Sequence, residues 1–301
     1  MRIGFSLLHY NNYEITVKAI EALRKLDNIN HCEIVVVDNA SPNESGKKLL
    51  SSYDKYENIH ILINDCNRGF ADGNNKGYNY LKNNLKCDLV CIMNSDVIIK
   101  DREFINKLYN YSLTHDIDIL APDIQGRYGP QNPLRSRPIS TQKAYYMYLY
   151  NSALSFVYKI PLINYCIAYL LEYKKKQTTQ IKSNVRNSRE SERIEQCIPH
   201  GACIIYGKVW TNLYDFAFLP CTFLYFEEDI LGDFIYHTGH SATYCSEFRV
   251  FHEEDASVDY TTSGIIQKRR FIATNMKKSI KTFMKYRKEL IGDSDGHIFR
   301  I

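Results

Sequence analysis

Short apolar runs alternate with longer stretches of helical period through the first third of the chain. Ile3 to Leu8 reads as a buried strand that ends in His9, Tyr10, Asn11 and Asn12. Ile15, Ala19, Ala22, Leu23 and Leu26 then recur on one helical face. Glu33 to Val37 is a second apolar strand, followed by Asp38, Asn39, Ala40 and Ser41 and stopped by Pro42. A helical segment runs to about Tyr56, and Ile59 to Ile63 is a third strand. The stretch NDCNRGFADGNNKGYNYL reads as a loop bearing Gly69, Gly73 and Gly77 that leads into a helix through Tyr78 and Leu81. Leu89 to Met93 is the fourth strand, broken by Asn94, Ser95 and Asp96 before Val97, Ile98 and Ile99. This alternation predicts an α/β fold: a mostly parallel, doubly wound sheet with helices on both faces. Polar residues at the carboxyl ends of the strands predict one crevice along that edge. A carboxylate such as Asp96 there is costly unless a positive group meets it. The alternative is a turn in which Asp96 only caps the next segment.

Composition narrows the class without naming a function. The 301 residues are 45% hydrophobic and 24% charged, ordinary for a globular chain able to bury a full core. A formal net charge of +4 gives no argument for nucleic acid as a partner. Nine scattered cysteines, mostly in apolar segments, read as reduced thiols of a cytoplasmic protein, and Cys87 and Cys91 lack zinc-site spacing. The N-terminus MRIGFSLLHYNN turns polar too early for a signal peptide. The 24 tyrosines beside one tryptophan hint at carbohydrate or interfacial contact. A dinucleotide-binding domain would carry a G-x-G-x-x-G turn after the first strand, where HYNNYE stands instead.

The segments IGFSLLHYNNYE, EIVVVDNASPNES, NRGFADGNNKGYN, LVCIMNSDVII, HGACIIYG, TFLYFEEDILGDFIYHTGH and FRVFHEEDAS resemble, in order, those of family-2 glycosyltransferases of the GT-A fold, of the rhamnosyl and capsule type. The resemblance covers roughly residues 2–257. It implies an inverting transfer of a sugar from a UDP- or dTDP-sugar to a glycan or lipid-linked glycan acceptor, in surface polysaccharide synthesis. It divides the chain into a transferase domain over 1–260, with a nucleotide-binding half to 100 and an acceptor-binding half from 101, and a basic helical tail over 261–301.

Residue by residue, the resemblance implies that Asp38 contacts the nucleobase, with Asn39 and the backbone at His9 and Tyr10 beside it. A strand-end carboxylate can accept an imide N–H, although Asp38 and Asn39 also suit an Asx-turn. Gly69, Gly73 and Gly77 would let backbone approach the donor, and Asn74 or Asn75 would bond ribose or base. Asp96 matches the last position of the family's D-x-D metal motif, with Asn94 in the first position and Ser95 between. A divalent cation, Mn²⁺ or Mg²⁺, would neutralise the leaving diphosphate there. His252 matches a second metal ligand. The general base falls on Glu228 without gaps, and on Asp229 after a slide of one residue. His200, Gly201 and Glu227 would meet the acceptor. Phe234 stands near the family's helix arginine, which leaves phosphate contacts to Arg249 or to the basic segment after Ile265.

Two rivals share parts of this pattern. A sugar nucleotidyltransferase would need a glycine-rich basic loop after the first strand, absent from HYNNYE. A catalytically inactive, glycan-binding homologue is compatible with Asn94 and Glu228. Between Ile265 and Leu290, nine cations face one anion, and Ile265, Ile272, Met276, Ile280, Phe283 and Met284 recur at helical spacing. This basic amphipathic pattern predicts a helix on the anionic inner face of the cytoplasmic membrane, peripheral and not spanning; the alternative is a helix docked on its own domain with its charges solvated. The apolar stretch Ala144 to Leu171 is split by Lys159 and Pro161 into pieces too short to span a bilayer; it is expected to pack in the core, the alternative being a dip into the membrane interface.

Overall fold

The computed structural model describes residues 1–170, 193–254 and 264–292. The first half forms as its periodicity predicts. β1 (Ile3–His9), β2 (Cys32–Asp38), β3 (Ile59–Ile63) and β4 (Leu89–Asn94) are parallel neighbours in the order β3-β2-β1-β4. Successive residues of β2 enter opposite faces: Ile34 and Val36 join one core cluster, Val35 and Val37 the other. Both faces are therefore covered, which is why these strands lack polar alternation. On the first face lie α1 (Tyr13–Leu23), α2 (Ser45–Tyr53) and, further on, α4 (Phe104–Thr114). Asn12 caps α1, its Oδ1 accepting from the Ile15 N–H at 3.2 Å.

The segment expected to be a glycine loop is already helix: α3 spans Gly69–Asn79. Its glycines recur every fourth residue, so they share one face and bring α3 close against β1. A Cβ on Gly73 would stand 2.6 Å from Leu8 Cδ1, and one on Gly77 would collide with Ser6 Oγ. Close packing of helix on strand, not approach to a ligand, requires glycine there.

Beyond β4 the sheet becomes mixed and curls. β5 (Val97–Ile98) lies at the far end of the order β3-β2-β1-β4-β9-β6-β10-β5, although it follows β4 directly in sequence. β6 (Ile119–Gly126) carries the short β7 (Gly129–Pro130) on it. After α5 (Thr141–Val157) and the small β8 (Arg193–Ile194), β9 (Cys203–Tyr206) runs antiparallel to both β4 and β6. α6 (Lys208–Leu213) and α7 (Glu227–Thr238) lead to β10 (Ala242–His252), parallel to β6 and antiparallel to β5 and β8. The pairing of His252 with Val97 closes the curl and returns the end of β10 to the turn after β4.

The C-terminal helix α8 (Ile265–Gly292) exists, but its apolar stripe does not face lipid. Ile280, Phe283 and Tyr286 are buried in the core cluster shared with α7, and Met276 and Met284 pack against it. Ala273 meets Tyr158 at the end of α5. Of the predicted stripe, Ile265 alone is exposed. Periodicity marks an apolar face without saying what covers it, and here the cover is the protein itself. The reverse correction applies to the 144–170 stretch: Tyr145, Tyr146, Leu149, Tyr150, Phe156 and Leu162 are exposed rather than core. Among the described residues no helix is long and apolar enough to cross a membrane. All nine cysteines are free thiols, six buried and Cys66, Cys166 and Cys221 exposed.

Candidate active site

A cavity of about 870 Å³ opens where the sheet edge meets the start of α7. Asn94, Ser95 and Asp96 line it from the β4–β5 turn, His200 and Gly201 from the approach to β9, and His252 from the end of β10. Glu227, Glu228 and Asp229 face them from the first turn of α7.

Asp96 Oδ1 lies 3.2 Å from His252 Nε2, and both side chains are nearly buried. The ring's other nitrogen, Nδ1, donates to Gln131 Oε1 at 2.7 Å. Gln131 in turn donates through Nε2 to Glu254 Oε1 at 2.7 Å, which fixes its amide and so the tautomer of the histidine. In the neutral ring Nε2 is then an acceptor facing a carboxylate, an arrangement that calls for a proton or a cation between them. Two ligands of one ion at about 2.1 Å and right angles lie about 3.0 Å apart, so the pair fits a shared divalent cation. Among the described residues no third His, Cys, Asp or Glu joins them, and further ligands would come from a substrate or water. His200 accepts the Ala202 N–H on Nδ1 at 3.0 Å and stacks edge-on to His252. Burial and the neighbouring His252 push its pKa down to about 4, so it is neutral at neutral pH.

Three consecutive carboxylates begin α7 because the two residues before it turn the chain sharply. Tyr225 and Phe226 are left-handed, at φ +70° and +76°, a conformation costly for aromatic residues. The helix N-terminus favours acidic groups in its first turn. Glu227 is buried, accepts the Thr222 hydroxyl at 2.9 Å, and is pushed up to about 8 by burial and then by the charge of Glu228. Glu228, half-buried, accepts the Gly201 N–H at 3.3 Å and is also raised by burial. A Cβ on Gly201 would stand 2.8 Å from Glu228 Oε1, so glycine lets the carboxylate reach that N–H. Asp229 is ion-paired with Arg135, yet burial outweighs the guanidinium and lifts its pKa to about 6.

The family profile described as "Glycosyl transferase family 2" matches residues 7–171, more than half of the chain. The chain belongs to glycosyl transferase family 2. It is 33% identical over 97 residues to the low-salt glycan biosynthesis hexosyltransferase Agl10 of Haloferax volcanii, a match over 32% of this chain and 30% of that protein. The fold is similar to S. aureus TarS 1-349 in complex with UDP-GlcNAc, with TM-score 0.54 and 13% identity over 88% of this chain and 62% of that one. The same enzyme with UDP gives TM-score 0.53 and 13% identity over 97% of this chain and 71% of that one. These structures establish the GT-A type of fold.

In this family-2 chain the structure gathers Tyr10, Asn94, Ser95, Asp96, His200, Gly201, Glu227, Glu228, Asp229 and His252 around one cavity. The side chains of the other expected donor contacts lie outside this cavity lining and have partners within the protein, and for His9 the expectation concerns its backbone alone. The Asp38 carboxylate is buried and bonded to the Ser41 N–H and hydroxyl, the Asx-turn alternative. The His9 ring is fully buried between Thr16 Oγ1 at 2.7 Å and Ser45 Oγ at 2.8 Å. Asn39 ties the loop before α3 by bonding Asn64, Asn67, Arg68 N and Gly69 O. Asn75 bonds the backbone of Ala217 and Phe218, and Asn74 donates to Phe70 O. Gly69, at φ +81°, packs against the Phe223 backbone. Asp38, Asn39 and Asn75 thereby supply partners to backbone groups of the loops around them.

Arg249 pairs with Asp123 at 2.8 Å outside the cavity lining, whereas Arg127, Arg135 and Lys268 line it. Lys268 comes from the basic segment predicted to reach the phosphates. Arg127, Gln131 and Arg135 lie outside the resembling segments and carry no local sequence signal, since their neighbours come from distant elements.

Proposed function

We propose that this protein is an inverting glycosyltransferase that moves a sugar from a nucleotide-diphosphate-sugar to a glycan or lipid-linked glycan, in assembly of a surface polysaccharide. The observation that carries this reading is one cavity holding Asp96 and His252 on one side and the α7 carboxylates on another. Glu228 takes the proton of the acceptor hydroxyl as that oxygen attacks the anomeric carbon. The bond from that carbon to the diphosphate oxygen breaks, and one direct displacement inverts the centre. Burial raises the basicity of Glu228, which favours proton transfer near neutrality. Arg135 holds Asp229 as an ion pair and leaves Glu228 the freer base. Glu227, protonated at neutral pH, has a proton to donate to an acceptor oxygen.

Asp96 and His252 would hold a divalent cation, Mn²⁺ or Mg²⁺, which supplies charge neutralisation to a leaving diphosphate. Arg127 and Lys268 add positive charge at the same cavity. Tyr10 and Asn94 line the donor end, and Asp38 can reach a base only if its bond to Ser41 yields. A uridine donor is favoured by the fold shared with TarS, which was solved with UDP-GlcNAc, and a hexose by the name of the archaeal relative.

The test is a thermal-shift panel of UDP-, dTDP- and GDP-sugars with and without Mn²⁺, followed by turnover of the donor that protects. A ligand at a hundred times its Kd should stabilise by about 2.7 kcal/mol. Absence of protection by every pyrimidine nucleotide would remove the donor site.

A further inference from the structure

Helix α5 carries apolar or tyrosine side chains on two opposite sides, and only one of those sides is covered. Its inner side carries Ala144, buried, and Met147 and Tyr148, which pack on the core. Leu154 and Tyr158 meet Ala273 of α8. Tyr145, Tyr146, Leu149, Tyr150 and Phe156 fall on the opposite side, 44% to 65% exposed. The chain continues through Leu162, 79% exposed, into a helical run over 163–170 that exposes Tyr165, Tyr169 and Leu170. Scattered exposed apolar residues are normal, but five large ones on one side of a single helix mark a contact.

We propose that this outward face of α5 and the 163–170 run docks on an anionic phospholipid surface. Charge selects lipid over another copy of the chain. No Asp or Glu occurs between Asp123 and Glu172, while Arg127, Arg135, Arg137, Lys143 and Lys159 do. Lys143 and Lys159 are exposed at the two ends of α5. Its packing partner α8 adds the exposed Arg270, Lys278, Lys281 and Lys288, and Lys277 Nζ sits 6.0 Å from the Tyr148 ring. Two such cationic surfaces repel each other, whereas an anionic leaflet attracts both the lysines and the tyrosine-rich face. The helix that carries this face also borders the cavity, since Met147 on its inner side lines it. A lipid-linked acceptor would thus be met at the membrane, a consequence that rests on the transferase reading; the docking itself does not.

The experiment is flotation of the full chain with vesicles of phosphatidylglycerol and phosphatidylcholine, and with phosphatidylcholine alone, at low and high salt. Binding is expected on the anionic vesicles and is expected to weaken with salt. Combined Tyr146→Glu, Leu149→Glu and Tyr150→Glu substitutions should lower that binding by about tenfold or more. The melting temperature and binding of soluble UDP-sugar should stay unchanged, since these side chains face outward. Leu149→Trp supplies a readout that needs no loss of stability, a blue shift of its fluorescence on anionic vesicles alone. Flotation of the triple variant equal to the parent, or no blue shift, overturns the proposal. So does a dimer in sedimentation velocity that the triple variant abolishes while the parent floats on neither vesicle. Failure of donor turnover with vesicle binding intact would sink the transferase reading and leave the docking face standing.

Discussion

His252 Nε2 stands 3.2 Å from Asp96 Oδ1 because the last ladder pair of β10 sets His252 opposite Val97, the residue after Asp96. The Glu253 N–H donates to Asp96 O at 3.0 Å and locks this register. Among the described residues no third His, Cys, Asp or Glu joins this pair, so on the proposed reading a cation held there would draw further ligands from the donor's diphosphate. Mn²⁺ should therefore bind weakly to the free protein and more tightly with UDP present. Calorimetric titration of Mn²⁺ with and without UDP checks this. Asp96→Ala should remove the UDP-dependent tightening with the fold kept, and equal Mn²⁺ affinity in parent and variant would exclude Asp96 as a ligand.

Glu228 and Asp229 differ in what already holds them. Asp229 is paired with Arg135, whereas Glu228 accepts one backbone N–H. Glu228→Gln should lower the transfer rate by about 10²- to 10⁴-fold, the range for a positioned base, with donor affinity little changed. Asp229→Asn should cost less than that in rate. The reverse order in single-turnover assays would make Asp229 the base and move the motif by one residue.

Much of this site was legible because β1, β2 and β4 are buried on both faces and end in polar residues. Asp96, His252, Glu228 and Gly201 were placed by resemblance of short segments, and the curl of the sheet brings those segments together. Less legible was everything set by a partner distant in sequence. Arg135 gains its meaning from Asp229, and the glycines of α3 from Leu8 and Ser6. The tail stripe is core because α5 and α7 reach it, while α5 carries apolar or tyrosine side chains on two opposite sides and its sequence does not say which side stays open. Asp38 suits both a base contact and a turn residue by its sequence, and its bonds to Ser41 depend on how the chain turns at Ala40 and Ser41.

Glu227 should leave a signature in the pH dependence of stability. Its pKa rises from 4.5 to about 8 on folding, chiefly through burial. The folded state therefore favours the protonated carboxyl. Its contribution to stability is complete below about 4.5 and is lost progressively as pH rises toward about 8. Glu227→Gln, which cannot ionise, should melt close to the parent at pH 5 and increasingly above it toward pH 8. A melting difference that stays constant between those pH values would show that Glu227 is charged throughout.

Helices α8 and α7 are tied by the buried ion pair of Asp233 and Arg287. Asp233 is fully buried on α7, and Arg287 of α8 reaches it at 3.3 Å, with His237 at 3.7 Å. Burial raises the Asp233 pKa and the guanidinium opposes that rise. Around the same contact Ser279 donates to Leu224 O at 2.9 Å, and the Phe283 ring meets Phe226, the residue that precedes the carboxylates. Helix α8 thereby braces the strained turn that aims Glu228. Arg287→Met keeps the aliphatic length but strands a buried carboxylate, so unfolding free energy at pH 8 should fall by about 3–5 kcal/mol. The deficit should shrink as pH falls, because a carboxyl whose folded pKa is raised becomes stabilising once protonated. Adding Asp233→Asn to Arg287→Met should restore much of the loss at pH 8. Urea unfolding of the two variants at pH 5 and pH 8 tests both statements. An Arg287→Met deficit independent of pH, or a double variant no more stable than the single, would mean that α8 is held by its apolar face and not by this pair.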